Sequence, residues 1–246
     1  MNANALAILS GGQDSTTALF WALHKFGHVA AITFDYGQRH AIEIDAASKV
    51  AEMAQADHYI VRVPQVLSST SPLTSETSLE TYDNYEQMDA TIGDRVELTF
   101  VPMRNPFFFV VAANKAIAIG CRHLVTGICQ EDNANYPDCR EDFRSAFEKM
   151  TNLALGLKSN PVQLHAPLMN MTKAESVRFA RSMPRCWEAL AYTHTAYDGN
   201  YPPVSKDHAS ILRAHGFEAA GLPDPLVLRA VQEGLMPLPA TANYHQ

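Results

Sequence analysis

The sequence predicts an α/β fold, a doubly wound parallel sheet with a small helical lobe at its C-terminal end. Three observations carry this expectation. Short apolar runs alternate with helix-length amphipathic segments through most of the chain, the pattern of βαβ units. A polar, Gly-rich turn, Ser10-Gly11-Gly12-Gln13-Asp14-Ser15, follows the first apolar run directly, where a strand hands over to a helix. A second polar cluster, Asp35-Tyr36-Gly37-Gln38-Arg39-His40, follows the second run, and ligands of such sheets collect beyond the carboxyl ends of strands at the switch point.

Taken in order, the apolar runs predict strands over 5–9, 29–34, 59–63 and 123–127. Amphipathic spacing predicts helices over 15–25, 41–55, 105–119 and 141–155. The span 67–93 is rich in Ser, Thr, Asp and Glu without a sustained period, and reads as a long irregular insertion of the kind that forms lids or loops. Further helices are expected over 173–182 and, beyond the break at Pro202-Pro203, over 206–214. Pro223, Pro225, Pro237 and Pro239 suggest a packed but irregular tail. No internal repeat is visible. The chain divides on this reading into a nucleotide-binding domain, 1–185, and a C-terminal lobe, 186–246.

With 246 residues, 47% hydrophobic and 18% charged, the chain can bury a substantial core. Its formal charge of −7 argues against direct nucleic-acid binding, which needs many Lys and Arg contacts to phosphate. The most apolar stretch, 106–120, is interrupted by Asn114 and Lys115 and reads as a buried helix, so no membrane association is expected. Cys121, Cys129, Cys139 and Cys186 show neither C-x-x-C spacing nor a disulfide framework, and no secretory leader is recognisable, which makes the cytoplasm the expected compartment.

The turn at residues 10–15 has the makings of a pyrophosphate cradle. Gly11 and Gly12 lack Cβ atoms, so backbone N–H groups can close on an anion, while Ser10 and Ser15 add hydroxyls and the helix start adds partial positive charge. No Gly-Lys-Ser/Thr follows, so this is not a Walker loop. An ordinary Gly-rich turn with a Ser or Asp cap is the alternative. Elsewhere, Arg104 offers a planar fork for phosphate and Lys173 a point charge for leaving pyrophosphate. Asp132 and Asp138 suit the donor edge of a guanine-like base, or Mg²⁺ through water, and Tyr136 suits stacking on a heterocycle. A salt bridge, a helix cap and core packing remain open as the respective alternatives. Cys129 and Cys139 read as small buried hydrophobes.

Ser10-Gly11-Gly12-Gln13-Asp14-Ser15 resembles the SGGxDS signature of the ATP pyrophosphatases. Together with Phe34-Asp35-Tyr36-Gly37-Gln38-Arg39-His40, the blocks 99–105 and 127–140, Pro167-Leu168 and Lys173-Ala174-Glu175, it resembles the QueC family of 7-cyano-7-deazaguanine synthases over nearly the whole chain. That resemblance implies an adenine nucleotide alpha hydrolase-like, Rossmann-like fold. It implies ATP contacts from Ser10, Gly11, Gly12, Gln13, Asp14, Ser15, Thr16, Phe34, Arg39 and Arg104. Substrate contacts are expected from Tyr36, Gln38, Asp132, Tyr136, Asp138 and Arg140, and catalytic roles for Asp14, Ser15, Lys173 and His208, with Asp14 as the candidate Mg²⁺ ligand.

Two departures stand out. Met103 occupies a position that is glycine in the resembled pattern Pro-Gly-Arg-Asn. The four cysteines of the resembled zinc module are replaced by Ala196, Val204, Asp207 and Ser210, although Thr193, Tyr197, Gly199, Pro202-Pro203 and Leu212-Arg213 keep its frame, so no zinc is expected. His194, Asp198, Asp207 and His208 in that frame read as a surface that guides an amine toward an adenylate.

The function implied is ATP- and Mg²⁺-dependent adenylation of 7-carboxy-7-deazaguanine, or a related deazapurine, followed by acyl transfer to an amine. A protein N-terminus is one such amine, as in deazaguanylation associated with bacterial antiviral defence. The alternatives are 7-cyano-7-deazaguanine synthesis with ammonia and a non-catalytic nucleotide-binding protein. A homodimer is expected.

Overall fold

One sheet of five parallel strands, ordered β3-β2-β1-β4-β5, organises the molecule. Its strands are β1 (Asn4–Ile8), β2 (His28–Asp35), β3 (Asp57–Arg62), β4 (His123–Val125) and β5 (Gln163–His165). The computed structural model describes residues 4–37, 42–63, 67, 69–75, 77–130 and 135–245. The expected parallel α/β sheet is therefore present, and the switch point falls between β1 and β4.

Nine helices accompany it among the described residues: α1 (Gln13–Lys25), α2 (Ile42–Ala54), α3 (Tyr85–Ile92), α4 (Arg104–Ala118), α5 (Glu141–Ala154), α6 (Lys173–Ser182), α7 (Cys186–Leu190), α8 (His208–Ala220) and α9 (Pro225–Gln232). Successive strand residues point to opposite faces, so the sheet needs apolar cover on both. Ala5, Ala7 and Leu9 pack with Leu19, Phe20, Val50, Val177, Leu190 and Phe217 on one side. Leu6, Ile32 and Leu124 pack with Phe109, Ala112 and Phe147 on the other. Cys186, Ala189 and Leu190 of α7 and Phe217 of α8 thus share the apolar cluster of β1 and α1.

Some elements depart from the sequence reading. Strand β5 was not anticipated because three residues, two of them polar, carry no readable alternation. Helix α3 lies inside the segment expected to be irregular, started by the Asn84 side chain, which accepts from the Gln87 N–H at 2.9 Å. Helix α9 lies in the expected irregular tail: Pro225 sits in its first turn, where a missing N–H costs nothing, and Asp224 caps it. The Asp-Pro pair was the available signal.

Met103, the N-cap of α4, holds a left-handed backbone with φ of 63° and an exposed side chain. An L side chain is strained there, whereas glycine is not. Met103→Gly is expected to stabilise the fold by about 0.5–1 kcal/mol, the strain relieved less the entropy glycine gains when unfolded. A melting temperature lower than that of the parent would contradict this.

Candidate active site

The turn joining β1 to α1 is built as a cradle. Gly11 has φ of +89°, and a Cβ there would stand 2.3 Å from the Glu43 carbonyl oxygen, so only glycine lets the turn press against α2. The Ser15 hydroxyl donates to the Gly12 carbonyl at 3.1 Å and accepts from the Ser10 N–H at 3.2 Å. Its one proton being committed, the Ser10 hydroxyl is the donor in their 3.0 Å contact. His194 N–H donates to the Gly11 carbonyl at 2.9 Å, tying the C-terminal segment to the turn. Gly12, the N-cap of α1, supplies no side-chain cap, which leaves the first N–H groups of that helix to an anion. The buried Gln13 Nε2 finds no partner among the described residues, and Gln13 is among the residues that line the smaller space beside the turn.

Two cavities meet at this turn. The larger, about 300 Å³, is walled by Phe34, Tyr36, Phe108, Ile128 and Arg104. Phe34 and Phe108 are stacked at 4.3 Å with their planes 1° apart, so its floor is flat and aromatic. The smaller, about 190 Å³, takes in Gly12, Gln13, Lys173, His194 and His208. Ser10, Asp14, Glu43, Tyr136 and Tyr197 border both.

Lys173 reaches Asp14 across the smaller cavity, with Nζ to Oδ2 at 2.8 Å. A Thr172–Glu175 capping box starts α6 and fixes the base of the Lys173 side chain. Gly216 makes room for its stem, since a Cβ at that point of α8 would lie 2.3 Å from Lys173 Cγ.

Charge in the larger cavity is controlled by burial. Burial lifts the Glu43 carboxyl to about 7, with the Arg104 guanidinium opposing the shift. Burial likewise raises the Tyr36 phenol, against the charge and hydrogen bond of Arg104, and lifts Tyr197 well above the ordinary tyrosine range. Burial disfavours the charge on Arg104 too, but Tyr36, Tyr136 and Tyr197 more than offset it. Tyr136 is held from behind: its hydroxyl meets Thr99 Oγ1 at 2.5 Å, and Thr99 donates from its backbone to the buried Glu97 carboxylate at 2.6 Å.

The family model described as "Queuosine biosynthesis protein QueC" matches residues 4–221. The chain belongs to the QueC family. Relatives named 7-cyano-7-deazaguanine synthase share 45% identity in Laribacter hongkongensis (92% of this chain, 95% of the relative) and 44% in Chromobacterium violaceum (93% and 95%). A third, from Gloeobacter violaceus, is 40% identical over 90% of this chain and 94% of its own. Among solved structures, a 4-thiouridine synthetase–RNA complex with bound ATP matches at 16% identity and a TM-score of 0.44 over 95% of this chain, which spans 53% of that protein's length. The sheet order, and not such distant likeness, establishes the fold.

Against this QueC frame, the structure gathers Ser10, Gly12, Gln13, Asp14, Ser15, Phe34, Tyr36, Arg104, Tyr136, Lys173 and His208 around the two cavities. Gln38, Arg39 and Asp132 lie outside the described residues. Thr16 is fully buried in α1 and Gly11 lies behind the turn. Asp138 is buried, its carboxylate accepting from the backbone and side chain of Asn105 at the N-terminus of α4. Burial raises its pKa despite nearby Arg104. Arg140 spans its own loop, donating to the Gln130 carbonyl and, at 3.2 Å, to Asn135 Oδ1. Glu43 and Tyr197 were absent from the expected site, and no contiguous motif announces them.

Asp207 does not present a free carboxylate to an amine. It is 1% exposed and caps α8: Oδ1 accepts from the Ser210 N–H at 2.8 Å, while Oδ2 accepts from the Tyr197 N–H at 2.7 Å and the Ser205 hydroxyl at 2.8 Å. It joins the surroundings of the four altered positions, 196, 204, 207 and 210, by hydrogen bonds. His194 is also buried, which lowers its pKa, and its Nε2–H donates to the Ala196 carbonyl at 2.7 Å. Among the described residues, no group of three His, Cys, Asp or Glu side chains is placed to hold a metal, and no helix is long and apolar enough to cross a membrane.

Proposed function

We propose that this chain uses ATP to adenylate 7-carboxy-7-deazaguanine and passes the activated acyl group to ammonia, the resulting amide being activated again and dehydrated to 7-cyano-7-deazaguanine. The carrying observation is the α1 N-terminus without a side-chain cap, which shares the smaller cavity with Gln13 and Lys173 and adjoins a second, aromatic cavity. The relatives named as 7-cyano-7-deazaguanine synthases support the same product.

On this reading pyrophosphate leaves into the smaller cavity, where Lys173, Gln13 and the helix N–H groups neutralise its charge. The deazapurine lies in the larger cavity against Phe34 and Phe108. Asp14 fits a Mg²⁺ ion bound mainly through phosphates and waters, because it offers one carboxylate from a position that borders both cavities. When bound, the ion would shield phosphate charge. Residues 1–185 form the nucleotide-binding part, and 186–246 the lobe that walls much of the smaller cavity through His194, Tyr197 and His208.

A second reading, transfer to another amine such as a protein N-terminus, is favoured by the replacement of all four cysteine positions of the resembled zinc module. ATP/pyrophosphate exchange that depends on 7-carboxy-7-deazaguanine tests the shared first step. Release of the free nitrile with ammonia selects the first reading, and an added deazaguanine acyl mass on a co-purified protein selects the second. Without exchange, both fall. The purified protein is expected to lack stoichiometric zinc by elemental analysis, since Ala196, Val204, Asp207 and Ser210 offer no thiolate. Bound zinc whose chelation lowers the melting temperature would contradict that.

A further inference from the structure

We propose that Glu43 is the proton acceptor for the nucleophile that displaces AMP, a role that rests on the adenylation reading above. Glu43 lines both cavities, so it stands at the seam between the pyrophosphate side and the heterocycle side, where an activated carboxyl carbon must lie. Its place is fixed by the close approach of Gly11 to the Glu43 carbonyl, which locks the first turn of α2 against the cradle.

Other described groups at the seam are committed. Asp14 is paired with Lys173, and the Ser10 hydroxyl is bonded to Ser15. Tyr197 keeps its proton because burial holds its pKa far above neutrality. Glu43 differs, since burial brings its carboxyl to about 7, where both protonation states are populated under ordinary conditions. The charged and titratable groups lining the two cavities with it are Arg104 from α4, Tyr36 beyond β2, Asp14 from α1, Lys173 from α6, Arg213 from α8, Tyr136, Tyr197, His194, His208, Cys129 and Cys139. Arg39 and His40, which precede it in the chain, lie outside the described residues.

In the step, the amine lone pair forms the C–N bond and one N–H proton passes to the Glu43 carboxylate. The C–O bond to AMP breaks, and its electron pair leaves on the phosphate oxygen.

The test compares the parent with Glu43→Gln and Glu43→Asp, measuring amide formation between pH 5.5 and 8.5, roughly the span over which a group titrating near neutrality changes state, at a constant concentration of unprotonated ammonia. Hydroxamate formation from hydroxylamine, a stronger nucleophile with less need of a base, is followed in parallel. The parent rate is expected to rise through about pH 7. Glu43→Gln should be roughly a hundredfold slower with ammonia and lose that rise, hydroxamate formation should fall by less than about tenfold, and Glu43→Asp should restore part of the pH-dependent rate. A rise preserved in Glu43→Gln, an equal loss with both nucleophiles, or transfer of the effect to His208→Ala would overturn the assignment. If the parent itself shows no substrate-dependent ATP/pyrophosphate exchange, the adenylation reading fails first and independently.

Discussion

Asp14→Ala is expected to lower ATP/pyrophosphate exchange by about a hundredfold or more, the usual cost of deleting a charged group from a preorganised phosphate site. Two effects combine. The substitution removes the Asp14 carboxylate from the border of both cavities, and it deletes the 2.8 Å contact that this carboxylate makes with the largely buried Lys173 ammonium. The charge that should meet pyrophosphate then loses one of the contacts that place it. Asp14→Asn keeps a hydrogen-bonding oxygen for Lys173 and removes only the charge. An equal loss in Asn and Ala assigns the effect to charge, whereas recovery in Asn assigns it to placing Lys173. Near-parental exchange in both would mean that the turn is structural only.

Asp207→Ala should instead unfold the C-terminal segment at lower temperature while pyrophosphate chemistry stays competent in the protein that remains folded. The carboxylate accepts from two backbone N–H groups and one hydroxyl at 2.7–2.8 Å. Removing it deletes an N-cap worth about 1 kcal/mol and strands buried donors at about 1–3 kcal/mol each. A loss of roughly 3 kcal/mol is expected, which for a chain of this size lowers the melting temperature by roughly 6–12 °C. Asp207→Asn, with one acceptor oxygen retained, should fall between. Amide hydrogen exchange gives a local check, because the Tyr197 N–H should lose protection first. Unchanged melting and unchanged exchange at Tyr197 would show that this hydrogen-bonded junction does not hold the segment together.

The sequence by itself determined what depends on neighbouring residues. The apolar run 5–8 followed by a Gly-rich turn reads directly as strand, cradle and helix, and the capping box at Thr172–Glu175 lies within four consecutive residues. Helices α1, α2, α4, α5 and α6 were anticipated to within two residues at each end because their periodicity is local. The family, too, is carried by contiguous blocks.

Only the tertiary structure decided which side chains meet, and with what charge. Lys173 and Asp14 are 159 residues apart in the chain, and their ion pair exists because β1 lies at the centre of the sheet and Gly216 lets α6 and α8 approach. Glu43 is an unremarkable helix-start acid until Gly11 presses the cradle against it and burial raises its pKa. Asp207, read as a group that guides an amine, became a cap because its oxygens fall within hydrogen-bond reach of donors on two separate turns. Periodicity and capping act over a turn or two of chain, whereas desolvation and hydrogen-bond geometry depend on how distant segments pack.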